Sequence, residues 1–245
     1  MVARKEICIV IPSYNNGRTV VDVAGRALRQ LPDVIVVVDG STDDTCKSLA
    51  ESGLPVTVLR HEVNRGKGMA LRTGFEYARQ HGFRYAVTID SDGQHFPEDV
   101  PVFLDAIDRH PGSLILGSRN LQSENMPGKN TFANRFSNFW FAVQTLKKIP
   151  DTQTGFRAYP LDRLPSMKLL TSRYEAELEL LVFSAWKGIA LIPVGIKVYY
   201  PAKEERVSSF RPFWDFFRIS VLNTVLCVLA IFYGFPRMLI ERLAR

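Results

Sequence analysis

The sequence predicts an α/β fold in which a mostly parallel sheet is covered by helices on both faces. Three observations predict it. Short continuous runs of Val and Ile recur along the chain, helical patterns separate them, and a polar cluster stands where each run stops. Continuous apolar strands belong to sheets buried on both faces, and such sheets bind ligands at the carboxyl ends of their strands.

The elements follow in order. Ile7 to Ile11 forms a strand that stops at Pro12, and the turn Ser13, Tyr14, Asn15, Asn16, Gly17 leads into a helix through Val20, Val23, Ala24, Ala27 and Leu28. Val34 to Val38 repeats the design, ending in Asp39, Gly40 and Ser41 before a helix opened by Thr42, Asp43 and Asp44. Val56 to Leu59 is the next strand, followed by a loop with Asn64, Arg65, Gly66, Lys67 and Gly68 and a helix through Leu71, Phe75 and Ala78. Tyr85 to Ile89 is a buried strand that ends in Asp90 and Asp92. Leu114 to Leu116 ends in Gly117, Ser118 and Arg119, and Phe132 to Leu146 is a helix rich in Phe and Trp. Gly155 and Phe156 mark a strand entry within Asp151 to Pro160, Tyr174 to Gly188 is helical, and Ile189 to Tyr200 closes the domain as a strand.

The stretch around Asp90 carries the clearest chemistry. In an extended chain alternate residues point the same way, so Asp90 and Asp92 can present oxygens to a common point, with Gly93 turning the backbone and Gln94 behind them. Two carboxylates that close repel unless a cation lies between them, and an oxygen-only site suits Mg²⁺ or Mn²⁺ with positions left for substrate phosphates. A solvated acidic turn is the alternative for the pair in isolation. The Gly66-Lys67-Gly68 loop matches neither GxxxxGK[ST] nor GxGxxG, yet its place at a helix N-terminus suits a phosphate or base contact as well as a tight turn. Glu175 and Glu177 stand in a first helical turn, where the helix dipole accounts for them without any function.

The C-terminal part differs in character. Ser208 to Ser220 packs Phe210, Phe213, Trp214, Phe216 and Phe217 among Arg211, Arg218 and Asp215, the composition of an interfacial helix. Ile219 to Phe235 then runs 17 residues without a charge and is closed by Pro236. That is short for a span, which needs about 20 apolar residues, so a re-entrant or tilted helix is expected. Residues 1–207 are read as one globular domain and 208–245 as a membrane-associated segment. The net charge of +6, with arginines clustered after Lys203, favours an anionic membrane surface over nucleic acid. Three cysteines without metal-ligand spacing point to a reducing compartment, and the N-terminal run lacks a cleavage-site pattern. The expected location is the cytoplasmic face of the cell membrane; oligomeric state is not legible.

With IPSYNNG, VVVDGSTDDT, NRGKGMALRTGF, TIDSDGQHFPED, GSRN and DTQTGFRAY in one order, the sequence resembles the family 2 glycosyltransferases of GT-A fold. It is most similar to the branch of dolichol-phosphate mannose synthase and bacterial polyprenyl-phosphate glycosyltransferases, over residues 6–200. The resemblance implies a Rossmann-like sheet, a nucleotide-sugar donor and a lipid-linked acceptor. It implies that Pro12, Tyr14, Asn15 and Asp39 hold nucleobase and ribose, with Gly66, Lys67 and Gly68 in the same pocket. Asp90, Asp92 and Gln94 would hold Mg²⁺ or Mn²⁺, Ser91 would lie with Asp90 against the donor, and Arg119 near the phosphates or the acceptor. Arg206 and Arg211 correspond loosely to a basic segment that closes over the donor. One departure is visible: the usual paired Asp before GS is Val38-Asp39 here.

The acceptor divides the reading. A polyprenyl phosphate is already ionised and needs only cations such as Arg119, Arg135 or Arg206 to position it, whereas a hydroxyl acceptor needs a base. Asp151, Glu175 and Glu177 are the candidates, with Asp151 preferred because it stands in a loop. A nucleotidyltransferase would carry Lys or Arg in its first loop, and IPSYNNG has neither before its Gly. A non-catalytic sugar-nucleotide binding module would have no need of Asp90, Asp92, Gln94 and Arg119 together.

Overall fold

A computed structural model describes residues 2–119, 128–164, 171–199 and 212–243. The strands are β1 (Ile7–Ser13), β2 (Val34–Asp39), β3 (Thr57–His61), β4 (Tyr85–Thr88), β5 (Leu114–Arg119), β6 (Arg157–Pro160) and β7 (Leu191–Ile196). The helices are α1 (Val20–Leu28), α2 (Thr45–Glu51), α3 (Lys67–Gln80), α4 (Val100–Arg109), α5 (Gly128–Thr145), α6 (Glu175–Trp186), α7 (Pro212–Leu229) and α8 (Phe235–Leu243). One sheet of order β3-β2-β1-β4-β6-β5-β7 joins the strands.

Alternation along the strands divides the core into two layers. Cys8, Val10, Ile35 and Val37 point to the side covered by α3, α6 and α7, while Ile7, Ile9, Ile11, Val34, Val36 and Val38 face α1 and α4. Val20, Val23, Ala24 and Ala27 give α1 the i, i+3, i+4, i+7 stripe that buries it. Burying each large aliphatic side chain in these layers stabilises by about 1.5–3 kcal/mol.

The sheet is mostly parallel, as the sequence predicts, with one reversal. β6 runs antiparallel to both β4 and β5. Its start therefore lies at the carboxyl ends of its neighbours, and the loop Asp151–Gly155 arrives at the ligand-binding edge by preceding a strand. β4 ends at Thr88, earlier than expected, and Asp90, Ser91 and Asp92 lie in the turn that follows it. β7 is shorter than the predicted Ile189–Tyr200, and Val198 makes only an isolated bridge to His95.

The described part of the C-terminal segment packs on the domain. Leu222, Leu226 and Ala230 are buried in the same apolar layer as α3 and α6, and Gln144 Nε2 on α5 donates to Asn223 Oδ1 at 2.9 Å. Pro236 does not close the helix. A π-helical turn, Ala230–Gly234, links α7 to α8 just before it. The widened turn accommodates a residue that has no N–H and would clash with the carbonyl four residues back. Phe217–Leu243 is consequently a 27-residue helix long and apolar enough to cross a membrane. One side packs on the domain; Val221, Val225, Val228, Ile231 and Phe232 are exposed on the other.

Candidate active site

A cavity of about 590 Å³ opens at the carboxyl ends of β1, β2 and β4, closed from the other side by the start of α6. Pro12, Tyr14, Asp39, Gly66, Lys67, Asp90, Ser91, Asp92, Gln94, Arg119, Glu175 and Glu177 all line it. Chain segments far apart in sequence thus converge as the strand-end argument requires. Asn15, Gly68 and Asp151 do not line it, nor does Arg135, which is exposed on α5, and Arg206 and Arg211 lie outside the described residues.

Hydrogen bonds from the first turn hold the acidic turn in place. Ser91 Oγ donates to Pro12 O at 3.0 Å, Asn16 Nδ2 donates to Ser91 Oγ at 2.9 Å, and Thr19 Oγ1 donates to Ser91 O at 2.6 Å. Asn15 takes a left-handed φ of 55°, which Asn tolerates, and its side-chain oxygen accepts from Thr42 N at 2.8 Å. Its role is to join the β1 and β2 turns.

Asp39 is 2% exposed and strongly bonded: its carboxylate accepts from Gly66 N at 2.7 Å, from Arg65 N at 2.9 Å and from His61 Nδ1 at 2.6 Å. This pins the loop before α3. Gly66 has φ 97°, and a Cβ on it would meet Ser172 O at 2.5 Å. A Cβ on Gly68 would collide with the Ala176 Cβ. The two glycines bring α3 against α6, so Gly68 serves packing where the sequence suggests a ligand contact.

Lys67, between them, reaches into the cavity. Its Nζ lies 2.6 Å from Asp90 Oδ1 and 2.8 Å from Glu177 Oε2. Burial alone would lower its pKa; the two carboxylates outweigh it and hold the ammonium charged above the ordinary lysine range. Burial raises the Asp90 pKa less than Lys67 and His95 lower it, so Asp90 is ionised. Asp92 goes the other way: burial, then the charge of Asp90, pushes it up to about 6. His95 is buried, its pKa lowered by burial first, and its Nδ1 has no hydrogen-bond partner 3.8 Å from Asp90 Oδ2.

This arrangement fits a divalent cation. Burial lifts Asp92 most and repulsion from Asp90 adds to it; a cation between the carboxylates would relieve that repulsion, and hard oxygen donors suit Mg²⁺ or Mn²⁺. Among the described residues no three His, Cys, Asp or Glu side chains form a closed metal cage. Two carboxylates, with Gln94 beside them, would leave coordination positions to ligand oxygens. Gly155 is the neighbour that makes room: its Cβ would lie 2.5 Å from Asp90 Oδ2 and 2.8 Å from Lys67 Nζ. Gly155→Ala is expected to leave the chain folded while weakening Mn²⁺ binding about tenfold or more, read by titration calorimetry; unchanged affinity would refute the role given to Gly155.

Asp151, expected as a proton acceptor, is instead occupied by Arg119, Asn134 and Gln153. It is 1% exposed and receives Arg119 Nε at 2.6 Å, Arg119 Nη2 at 3.0 Å, Asn134 Nδ2 at 2.6 Å and Gln153 N at 3.0 Å. Burial would raise its pKa, but the Arg119 guanidinium holds it below the usual carboxylate range. A carboxylate so bonded is a weak base, and its bonds hold Arg119 at the cavity. Glu175 and Glu177 do reach the cavity, and Glu175 Oε2 and Glu177 Oε1 are buried without a hydrogen-bond partner.

Three residues escaped the sequence reading. Arg157, 1% exposed, donates to Thr154 O at 2.8 Å, Thr152 O at 2.8 Å and Glu177 O at 2.9 Å, tying the Asp151–Gly155 loop to α6. A charged residue within the apolar run FRAY was the available signal. His95 stood within DSDGQH but was passed over, and Asn134 was hidden among the aromatic residues of α5. Ile219, on α7, lines the cavity too, and Arg218 Nη1 stands 4.0 Å from Glu175 Oε1.

Comparison with known proteins agrees with this geometry. The profile described as glycosyl transferase family 2 matches residues 8–162. A UDP-N-acetylglucosamine--dolichyl-phosphate N-acetylglucosaminyltransferase of Methanococcus voltae is 30% identical over 220 residues, covering 81% of this chain and 88% of that one. A polyprenol monophosphomannose synthase of Mycolicibacterium smegmatis is 32% identical over 174 residues, covering 66% and 64%. Among solved structures, glucosyl-3-phosphoglycerate synthase from Mycobacterium tuberculosis, in complex with Mn²⁺, UDP-glucose and phosphoglyceric acid, superposes with a TM-score of 0.65. It is 22% identical, covers 91% of this chain and 79% of its own, and shares the GT-A fold.

Proposed function

Because this chain belongs to glycosyl transferase family 2, we propose that it moves a sugar from a nucleoside-diphosphate donor to a polyprenyl phosphate at the cytoplasmic face of a membrane. The observation that carries the reading is a meeting at one cavity: Asp90, Asp92, Lys67 and Arg119 share it with Ile219, which belongs to the long apolar helix. The dolichyl phosphate and the polyprenol monophosphomannose in its relatives' names support the acceptor class.

The division of labour follows from charge. Asp90 and Asp92, with Gln94, would hold a divalent ion, which when bound neutralises the charge that develops on the diphosphate leaving group. Lys67 adds a fixed ammonium on the same side. The nucleotide lies toward Pro12, Tyr14 and Asp39, and Arg206 and Arg211 are assigned to the donor as well. Arg119, locked by Asp151, presents a guanidinium to the acceptor phosphate; that nucleophile is ionised and requires no base. Glu175 and Glu177, which line the cavity, accept hydrogen bonds from sugar hydroxyls. They also support a second reading, in which the acceptor is a hydroxyl and one of them takes its proton.

The exposed apolar side of α7 sets the enzyme against the bilayer. Val221→Glu with Val225→Glu is expected to move the protein from the membrane pellet to the supernatant; full retention in the pellet would remove α7 from membrane binding. The transfer reaction is tested by screening UDP- and GDP-linked radiolabelled sugars with Mg²⁺ or Mn²⁺ and polyprenyl phosphate. Label entering the organic phase as an acid-labile product supports the first reading. An acid-stable glycoside of an alcohol, in either phase, supports the second, and label recovered only as free sugar or unreacted donor refutes both.

A further inference from the structure

Behind Asp39 a side-chain hydrogen-bond chain runs through His61 to Thr73. β2 and β3 pair in parallel with Asp39 opposite His61, so both side chains stand at one level of the sheet edge. His61 Nδ1 is 2.6 Å from Asp39 Oδ1, and His61 Nε2 is 2.9 Å from Thr73 Oγ1 on α3. The side chains of His61 and Asp39 are 6% and 3% exposed. With Asp39 Oδ1 accepting, Nδ1 is the donor, and the Thr73 hydroxyl, which can donate or accept, meets Nε2. The ring is held from both ends.

We propose that His61 is a positioning residue for donor recognition, holding Asp39 so that its carboxylate presents an acceptor to an N–H or hydroxyl of the nucleoside. The inference rests on the donor reading above. Oδ1 takes hydrogen bonds from His61 and Arg65 N, whereas Oδ2 takes the one from Gly66 N. An oxygen with two lone pairs retains capacity for a further donor, and Asp39 lines the cavity. Acceptor-only recognition selects a ligand that offers a hydrogen there: the imide-like N–H of a nucleobase or a ribose hydroxyl. His61 removes rotational freedom from that carboxylate before the ligand arrives, which is where preorganisation adds to affinity. His61 does not line the cavity, so its effect reaches a ligand through Asp39.

The test uses the full chain in detergent with Mg²⁺, titrated calorimetrically with UDP, GDP and inorganic pyrophosphate. His61→Leu is expected to weaken binding of the preferred nucleotide about tenfold or more and to leave pyrophosphate unchanged. His61→Asn, which returns an N–H toward Asp39, is expected to restore most of the loss. Thr73→Val, nearly isosteric, releases the ring at Nε2 and is expected to weaken nucleotide binding about threefold, so the proposal stays testable even if His61→Leu fails to fold. With a working donor, KM rises by more than kcat falls. Equal losses for nucleotide and pyrophosphate, or none in Thr73→Val and His61→Leu, would overturn the positioning role alone. A wild-type protein that binds neither nucleotide would overturn the donor reading and this inference together.

Discussion

Asp92→Asn is expected to reduce sugar transfer by about 10²–10³-fold or more and, in the same protein, to raise the melting temperature of the metal-free enzyme above neutral pH. The two effects have one cause. The Asp92 carboxyl is pushed up to about 6 by burial and by the charge of Asp90, so ionising it in the folded chain costs free energy that the unfolded chain does not incur. With an unfolded value of about 3.9, that cost is absent in acid below it, grows as pH rises toward about 6 and is constant above. Removing the carboxylate therefore stabilises at about pH 7.5 and changes little at about pH 3.5. Thermal melts in EDTA at the two pH values, with transfer assayed in parallel, measure both. A variant that melts lower than wild type at the higher pH, or that still transfers, would show that Asp92 is not held against Asp90 as a metal ligand. Metal binding has the matching sign: affinity should weaken as pH falls through about 6, where a proton must be displaced from Asp92.

Arg119→Ala should be the most destabilising change at the site, by about 3–5 kcal/mol, because it strands a buried carboxylate. Asp151 is 0% exposed in its side chain and bonded by Arg119 at 2.6 Å. Arg119→Met with Asp151→Leu removes both charges and is expected to recover part of the stability but none of the transfer, since the guanidinium that faces the cavity is gone. The pH dependence of the pair runs opposite to that of Asp92. A carboxyl held below its ordinary range contributes stability that is fully present above about pH 4 and is lost as pH falls through the depressed folded value. Urea titrations across the acid range measure this. If Arg119→Ala is as stable as wild type, the pair is a surface ion pair and not an anchor.

Much of the site was legible because strand ends announce themselves. A Val and Ile run that stops at Pro12, Asp39 or Asp90 says where the edge of a parallel sheet lies, and the edge is where ligands bind. What the sequence could not show was which polar groups face each other. Asp151 reads as an unoccupied loop carboxylate until Arg119, Asn134 and Gln153 are seen to occupy it. Gly66 and Gly68 read as a phosphate loop until Ser172 and Ala176 are seen against them. The reversal of β6 was illegible for a related reason: alternation and apolarity report burial, not direction. The C-terminal helix was misjudged in length because a proline signals an end unless the preceding turn widens, and no pattern in AIFYG announces a π turn.

The place of β6 in the sheet bears on how the chain acquires its structure during synthesis. β3, β2, β1 and β4 are contiguous in the sheet and encoded before residue 90, whereas β5 pairs only with β6 and β7, both encoded after it. Arg157 is the register residue on both sides, opposite Thr88 on β4 and opposite Leu116 on β5. Half of the sheet can therefore assemble early with β4 as an open edge, and the other half waits for residues 157–160 to emerge. Closure over so long a separation is slow relative to local contacts. The step that seals the edge is also the step that buries the Arg157 guanidinium, so the cavity forms only when the sheet is complete.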